Sequence, residues 1–173
     1  QSNLQLTALG RVDMDILQSD HIAEAFEKYQ PDLVINAAAY TAVDKAESEP
    51  ELAMQLNAIA PGDIARRCEA RQIPMMHIST DYVFDGTGNE PYTLDCPTAP
   101  LGEYGRSKWL GEEAVRQHCS RHYILRTSWV FSEYGNNFVK TMLRLAESRP
   151  ELGVVSDQRG CPTDARSIAQ ALL

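Results

Sequence analysis

Leu33-Val34-Ile35-Asn36-Ala37-Ala38-Ala39 places three buried-type aliphatics ahead of an asparagine and a run of alanines. Bounded by Pro31-Asp32, it reads as a strand too apolar to have a wet face. Small residues at the carboxyl end of a strand let a ligand lie against the backbone; a tight helix–strand contact explains them equally well. Downstream, Met75-Met76-His77-Ile78 is a strand delivering Ser79-Thr80-Asp81 to its end. Tyr123-Ile124-Leu125-Arg126 likewise runs into Thr127-Ser128-Trp129. Leu4 to Leu9 and Val154-Val155 are expected as further short strands. Helices are expected between them: Ile22, Phe26 and Tyr29 follow a Ser19-Asp20 cap at helical spacing, and residues 49–72 are mostly helical with a break or restart at Pro61. Further helices run from Tyr104 to about His118, over 137–147, and from Thr163 to the chain end. This alternation predicts an α/β fold, a doubly wound parallel sheet of Rossmann-like type whose ligands lie beyond the carboxyl ends of the strands. The Gly-, Pro- and Asn-rich stretch 85–100 is a long loop, and such loops are more often sites than spacers.

A chain of 173 residues is about one domain, and residues 4–173 are read as a partial dinucleotide-binding domain. Gln1-Ser2-Asn3 resembles the scar of a cleavable tag. The net charge of -8 and scattered basic residues argue against a nucleic-acid surface. No apolar run approaches a membrane span and no signal-peptide pattern opens the sequence, so the expectation is a cytoplasmic protein. Four cysteines without C-x-x-C spacing read as free thiols. His118, Cys119 and His122 lie close in sequence but lack a second ligand pair, so no metal site is assigned.

Tyr104-Gly105-Arg106-Ser107-Lys108 opens the third helical stretch. A tyrosine and a lysine four apart share one helix face. Phenol is a poor acid–base catalyst at neutral pH, and an ammonium within about 4–6 Å would lower its pKa. A surface pair without a chemical role is the alternative. The strand ends decide between them: Asn36–Thr41, Ser79–Asp81 and Thr127–Trp129 all fall where such sheets bind ligands.

In this order, strand-NAAA, strand-STD and Y-x-x-x-K resemble the extended short-chain dehydrogenase/reductases. The longer strings are similar to the dTDP-4-dehydrorhamnose reductase family: Asn36 to Glu47, Ser79 to Gly86, Arg126 to Phe131, Asn136-Asn137-Phe138 and Asp157 to Thr163. The resemblance runs from about Leu4 to the end. It implies a reductase of a dTDP-4-keto-6-deoxy sugar, serving dTDP-rhamnose and lipopolysaccharide O-antigen biosynthesis, with NADPH or NADH as cofactor. Tyr104 would be the general acid at the sugar's C4 oxygen. Lys108 would depress the Tyr104 pKa and hold the nicotinamide ribose, and Thr80 would polarise the carbonyl. Asp81 and Trp129 match sugar-nucleotide contacts. Asp15 and Ile16 match adenine-side contacts, and Ala39, Tyr40 and Thr41 line the cofactor further along.

The sequence departs from the family pattern in several ways. It holds no G-x-x-G-x-x-G, the turn that cradles a pyrophosphate. The expectation is therefore an internal piece of a longer enzyme, lacking the first strand-helix unit and most of the C-terminal substrate-binding portion, and inactive by itself. The second strand would end in Gly10-Arg11, which leans towards NADPH, although Asp13 and Asp15 are close. The carboxylates of the metal attributed to the family cannot be placed. A 4,6-dehydratase would follow Thr80 with an Asp-Glu pair, whereas here Tyr82 follows Asp81. A 4-epimerase remains a rival, as does a non-catalytic subunit resembling the regulatory subunit of methionine adenosyltransferase. The partners expected are the dTDP-sugar and further copies of the chain, with neither nucleic acid nor membrane.

Overall fold

A computed structural model describes residues 4–173; the tag-remnant reading of Gln1-Ser2-Asn3 lies outside the described residues. The chain falls into two units, one ending at Leu125 and one spanning Arg126–Leu173. In chain order the first holds α1 (Ser19–Tyr29), β1 (Val34–Asn36), α2 (Val43–Ala46), α3 (Pro50–Met54), a π-helical turn (Gln55–Ile59), α4 (Ala60–Ala70), β2 (Met75–Thr80), a 3-10 turn (Asp81–Val83) and α5 (Glu103–His118). Strand β3 (His122–Thr127) begins in it, and the sheet order is β1-β2-β3. β1 and β2 are parallel, with Val34 opposite Met75 and Asn36 opposite His77. A parallel pair needs a crossover, and helices α2 to α4 supply it. The core lies between this sheet and its helices: Ile22 and Phe26 of α1, Ile64, Ala65 and Cys68 of α4, Met75 of β2 and Val115 of α5. The second unit holds β4 (Val130–Phe131), α6 (Phe138–Ala146), β5 (Thr163–Asp164) and α7 (Ala165–Leu172), with β4 and β5 parallel. The expected α/β architecture with parallel strands is the one observed.

Three local expectations are corrected and a fourth is met. Residues 4–9 form no strand: among the described residues they have no ladder partner, and Leu4 and Leu6 stay exposed. Val154 and Val155 are likewise exposed coil; a strand there would bury nothing. Ser19 does not cap α1. It is the first helical residue, and its hydroxyl donates to Asp63 Oδ2 at 2.7 Å and accepts from Arg67 Nη2, tying α1 to α4. Pro61 marks the restart, one of the two expectations there. It lies in the first turn of α4, directly after the π turn, which supplies the wider winding a proline without an N–H requires.

Candidate active site

Alternation along β2 buries Met75, His77 and Ser79 on one face and leaves Met76 and Ile78 half-buried on the other. Thr80 ends the strand, buried, and caps the 3-10 turn by accepting the Tyr82 N–H at 3.2 Å. Its hydroxyl also donates to Asp81 Oδ1 at 3.2 Å. Helix α5 starts against this turn. Glu47 accepts the Glu103 amide at 2.8 Å, and Gly105 lets the helix approach so closely that any added Cβ would strike the Tyr82 carbonyl. That approach brings Tyr104 to the carboxyl end of β2, edge-on to Tyr82 at 5.5 Å between ring centroids. Thr80, Asp81, Tyr104 and Lys108 therefore share the place where β2 ends and α5 begins.

Their electrostatics differ from the expected arrangement in one respect. Burial pushes the Tyr104 phenol above its ordinary pKa, and the Thr80 hydroxyl opposes this by favouring the phenolate. Nearby Asp81 and Tyr82 push it up further. The expected depression by Lys108 does not appear, because Lys108 is directed elsewhere: its Nζ donates to the Ile78 carbonyl at 2.6 Å and stands 3.5 Å from His77 Nε2. Burial lowers Lys108 itself to about 8, with Glu112 pulling it back up. Burial also raises the Asp81 carboxyl. A buried phenol that keeps its proton at neutral pH is suited to giving that proton away.

Two asparagines hold the loop after β1. Asn36 Oδ1 accepts the Ala38 N–H at 3.1 Å. Asn57, on the π turn, accepts the Tyr40 N–H at 2.8 Å and donates to both the Tyr40 carbonyl and Ser107 Oγ at 3.0 Å. Asn57 thus ties the loop carrying Ala39, Tyr40 and Thr41 to the helix carrying Tyr104 and Lys108. Tyr40 spends its hydroxyl on Glu49 at 2.6 Å, which pushes its pKa up to about 12. Gly111 lies over the Asn57 carbonyl so closely that a Cβ could not be accommodated. The backbone of 37–41 is thus fixed from beneath, while Ala37, Ala38 and Thr41 remain exposed. Such a surface fits one end of a dinucleotide. Ile16 is buried in the core and Asp15 accepts the Leu17 N–H at 3.1 Å. Arg11, the residue behind the lean towards NADPH, pairs with Asp15 at 3.6 Å. In the second unit Trp129 adopts φ 45°, a rare conformation for a bulky residue, and Gly160 packs on its indole. The sequence reading gave no role to Asn57, His77, Ser107 or Glu112. The signal available was polar residues, or small ones such as Gly111, inside otherwise apolar faces.

The RmlD substrate binding domain family matches residues 1–173. A dTDP-4-dehydrorhamnose reductase of Shigella flexneri is 50% identical over 155 residues, covering 90% of this chain and 52% of that protein. The one of Sinorhizobium fredii is 46% identical over 171 residues, covering 99% and 58%. The crystal structure of such a reductase from Clostridium acetobutylicum superposes with a TM-score of 0.95 at 39% identity, over 99% of this chain and 61% of that one. That from Bacillus anthracis, solved in complex with NADP, gives 0.92 at 38%, over 95% and 58%. The chain spans about half the length of the curated relatives it matches. On the match over its whole length, the chain belongs to the RmlD substrate binding domain family.

Proposed function

We propose that the full-length protein reduces a dTDP-4-keto-6-deoxy sugar, dTDP-4-dehydrorhamnose, at its C4 carbonyl. The observation that carries this reading is the gathering of Thr80, Tyr104 and Lys108 where β2 ends and α5 begins, in a chain of this family. When bound, a reduced nicotinamide supplies the hydride; the relatives named dTDP-4-dehydrorhamnose reductase include one solved with NADP. Tyr104 gives its proton to the C4 oxygen as negative charge develops there. Thr80 donates a hydrogen bond to the same oxygen and so stabilises that charge. Lys108 holds the nicotinamide ribose, Asp15 and Ile16 face the adenine side, and Ala39, Tyr40 and Thr41 line the cofactor further along. Asp81 and Trp129 hold the sugar nucleotide. Residues 4–173 thus act as a partial dinucleotide-binding domain. We further infer a cytoplasmic homo-oligomer: the four cysteines are free, and α6 carries Phe138, Val139 and Leu143 exposed. Among the described residues no helix is long and apolar enough to cross a membrane.

The test is Tyr104→Phe in the full-length protein, which removes the proton donor and keeps the ring. Oxidation of NADPH by the dTDP-4-keto sugar should fall by orders of magnitude while the melting temperature stays within a degree or two. Near-normal turnover in this variant would overturn the assignment of the acid.

A further inference from the structure

The chemistry proposed above gives no work to Glu47, the last residue of the string that opens at Asn36. Glu47 belongs to a segment closed on itself: Asn57 holds the Tyr40 backbone, and the Tyr40 hydroxyl returns to Glu49 at 2.6 Å. Between these anchors α2 makes one turn, with the Ala46 N–H on the Ala42 carbonyl and Ala46 buried. Directly after α2, Glu47 sends its carboxylate across to α5. A helix start leaves its first amides without intrahelical partners, and a Ser, Thr, Asp or Asn at the cap position ordinarily takes one of them. In α5 that position is Gly102. Its carbonyl accepts the Arg106 N–H at 2.9 Å, but it has no side chain with which to cap. The Glu103 N–H goes instead to Glu47 Oε1 at 2.8 Å, from 56 residues away in the chain. The two kinds of cap exclude each other, since a Cβ on Gly102 would come within 2.9 Å of that same oxygen.

We propose that Glu47 is a positioning residue for Tyr104: it caps α5 from the segment that begins at Tyr40, and so fixes the first turn of the helix that carries the phenol. Tyr104 stands between two anchored neighbours. Glu103 is held through its amide by Glu47, and Gly105 packs on the Tyr82 carbonyl too closely for any Cβ. The Tyr104 carbonyl accepts the Ser107 hydroxyl at 2.8 Å, and Ser107 Oγ in turn accepts from Asn57. A carboxylate at this end of a helix is favoured by the helix dipole as well. The Glu103 side chain does not compete for the role, being paired with Arg106 at 3.2 Å. Lys108, one turn further on, has its own anchor at the Ile78 carbonyl. Loss of the cap should therefore be felt at Tyr104 and not at Lys108.

What this means for turnover rests on the reductase reading; whether Glu47 caps α5 does not. In the full-length protein, hydrogen exchange at the Glu103 amide needs neither cofactor nor substrate. It should be about tenfold faster in Glu47→Ala than in Glu47→Gln, which keeps an acceptor oxygen. Equal rates overturn the proposal. With NADPH and the dTDP-4-keto sugar, Glu47→Ala should lower kcat about tenfold while the KM for NADPH stays within roughly twofold, because a displaced acid reacts more slowly without loosening the cofactor. Glu47→Gln should keep most of kcat. An unchanged kcat overturns the proposal, and so does an equal rise in KM, which would mean that the cofactor loop had moved and not α5. Gly102→Ser supplies a control that general loss of packing would not pass. The Gly102 backbone is already extended (φ -118°, ψ 165°), as a serine cap requires, and nothing but Glu47 Oε1 lies within 4 Å of its Cβ position. Glu47→Ala combined with Gly102→Ser should recover kcat to within about threefold of the unchanged protein; no recovery overturns the proposal. Should Glu47→Ala alone fail to fold, the double variant still decides: folded and active it supports the cap, unfolded it overturns it. An unchanged protein that does not turn over the sugar would sink the reductase reading instead, and exchange at Glu103 would still decide the cap.

Discussion

At the scale of single residues, the two groups proposed to meet the reacting oxygen should differ in what they contribute. Thr80→Val in the full-length protein removes one polarising donor and should lower kcat by roughly 10²-fold, less than Tyr104→Phe, because proton delivery survives. Steady-state kinetics of the pair checks the order; a larger loss for Thr80→Val would reverse the roles. His77 makes a second residue-scale prediction through stability. Its pKa is depressed from the ordinary 6.5 to about 3 by burial and by the charge of Lys108. Between those values the unfolded chain binds the proton that the folded chain refuses, so stability is full above pH 6.5 and is lost as pH falls towards 3. The loss is on the order of 4–5 kcal/mol if the fold resists charging throughout. Urea titrations at pH 7 and pH 4.5 should show a smaller drop for His77→Gln than for the unchanged protein; equal drops would mean the imidazole titrates normally.

At the scale of elements, α5 shows why a composition-based reading of a helix can be misleading. A glycine at a helix interior ordinarily costs about 1 kcal/mol relative to alanine, so Gly111→Ala should stabilise on propensity alone. Here the added methyl would land on the Asn57 carbonyl, and at Gly105 on that of Tyr82. Backbone cannot give way as a flexible side chain can, so each substitution should destabilise by about 1–3 kcal/mol. Gly153→Ala, with nothing within 4 Å of the new methyl, should leave the melting temperature almost unchanged. Thermal unfolding of the three variants checks the sign. The π turn belongs to the same construction. The residue four beyond Asn57 is Pro61, which has no N–H to offer the Asn57 carbonyl. That oxygen instead faces Gly111, and the Asn57 side chain is left to hold Tyr40 and Ser107.

For the whole molecule, the 173-residue chain should bind NADPH and NADH weakly. On the reading proposed above it offers side chains for the two ends of a dinucleotide, but its sequence holds no Gly-rich turn for the pyrophosphate, whose charge-assisted hydrogen bonds are worth about 1.5–3 kcal/mol each. Strand β1 has β2 on one side and stands at the sheet's edge, and such an edge recruits another strand. Calorimetric titration together with light scattering should therefore show little heat and a self-associating species. Micromolar binding by a monodisperse monomer would contradict both expectations.

The amino-acid sequence by itself determined the strands and helices whose periodicity is strong and local: β1 at Val34–Asn36, β2 from Met75, α5 around Tyr104, and α6 within 137–147. These follow from burial patterns and capping, which act over a few residues. It also carried the family's motif strings, and with them Thr80, Tyr104 and Lys108 as candidates. Only the tertiary structure decided what those side chains face. Lys108 lies one helical turn from Tyr104 yet turns to the Ile78 carbonyl and His77, because β2 offers an acceptor there. Leu4–Leu9 alternates like a strand but forms none, since a ladder needs a partner that local sequence cannot provide. Asn36, Asn57, His77 and Glu112 gain their meaning from contacts with residues far away in the chain or across a helix face. Their spacing in sequence holds no trace of that, because hydrogen-bond satisfaction in a buried site is settled by packing.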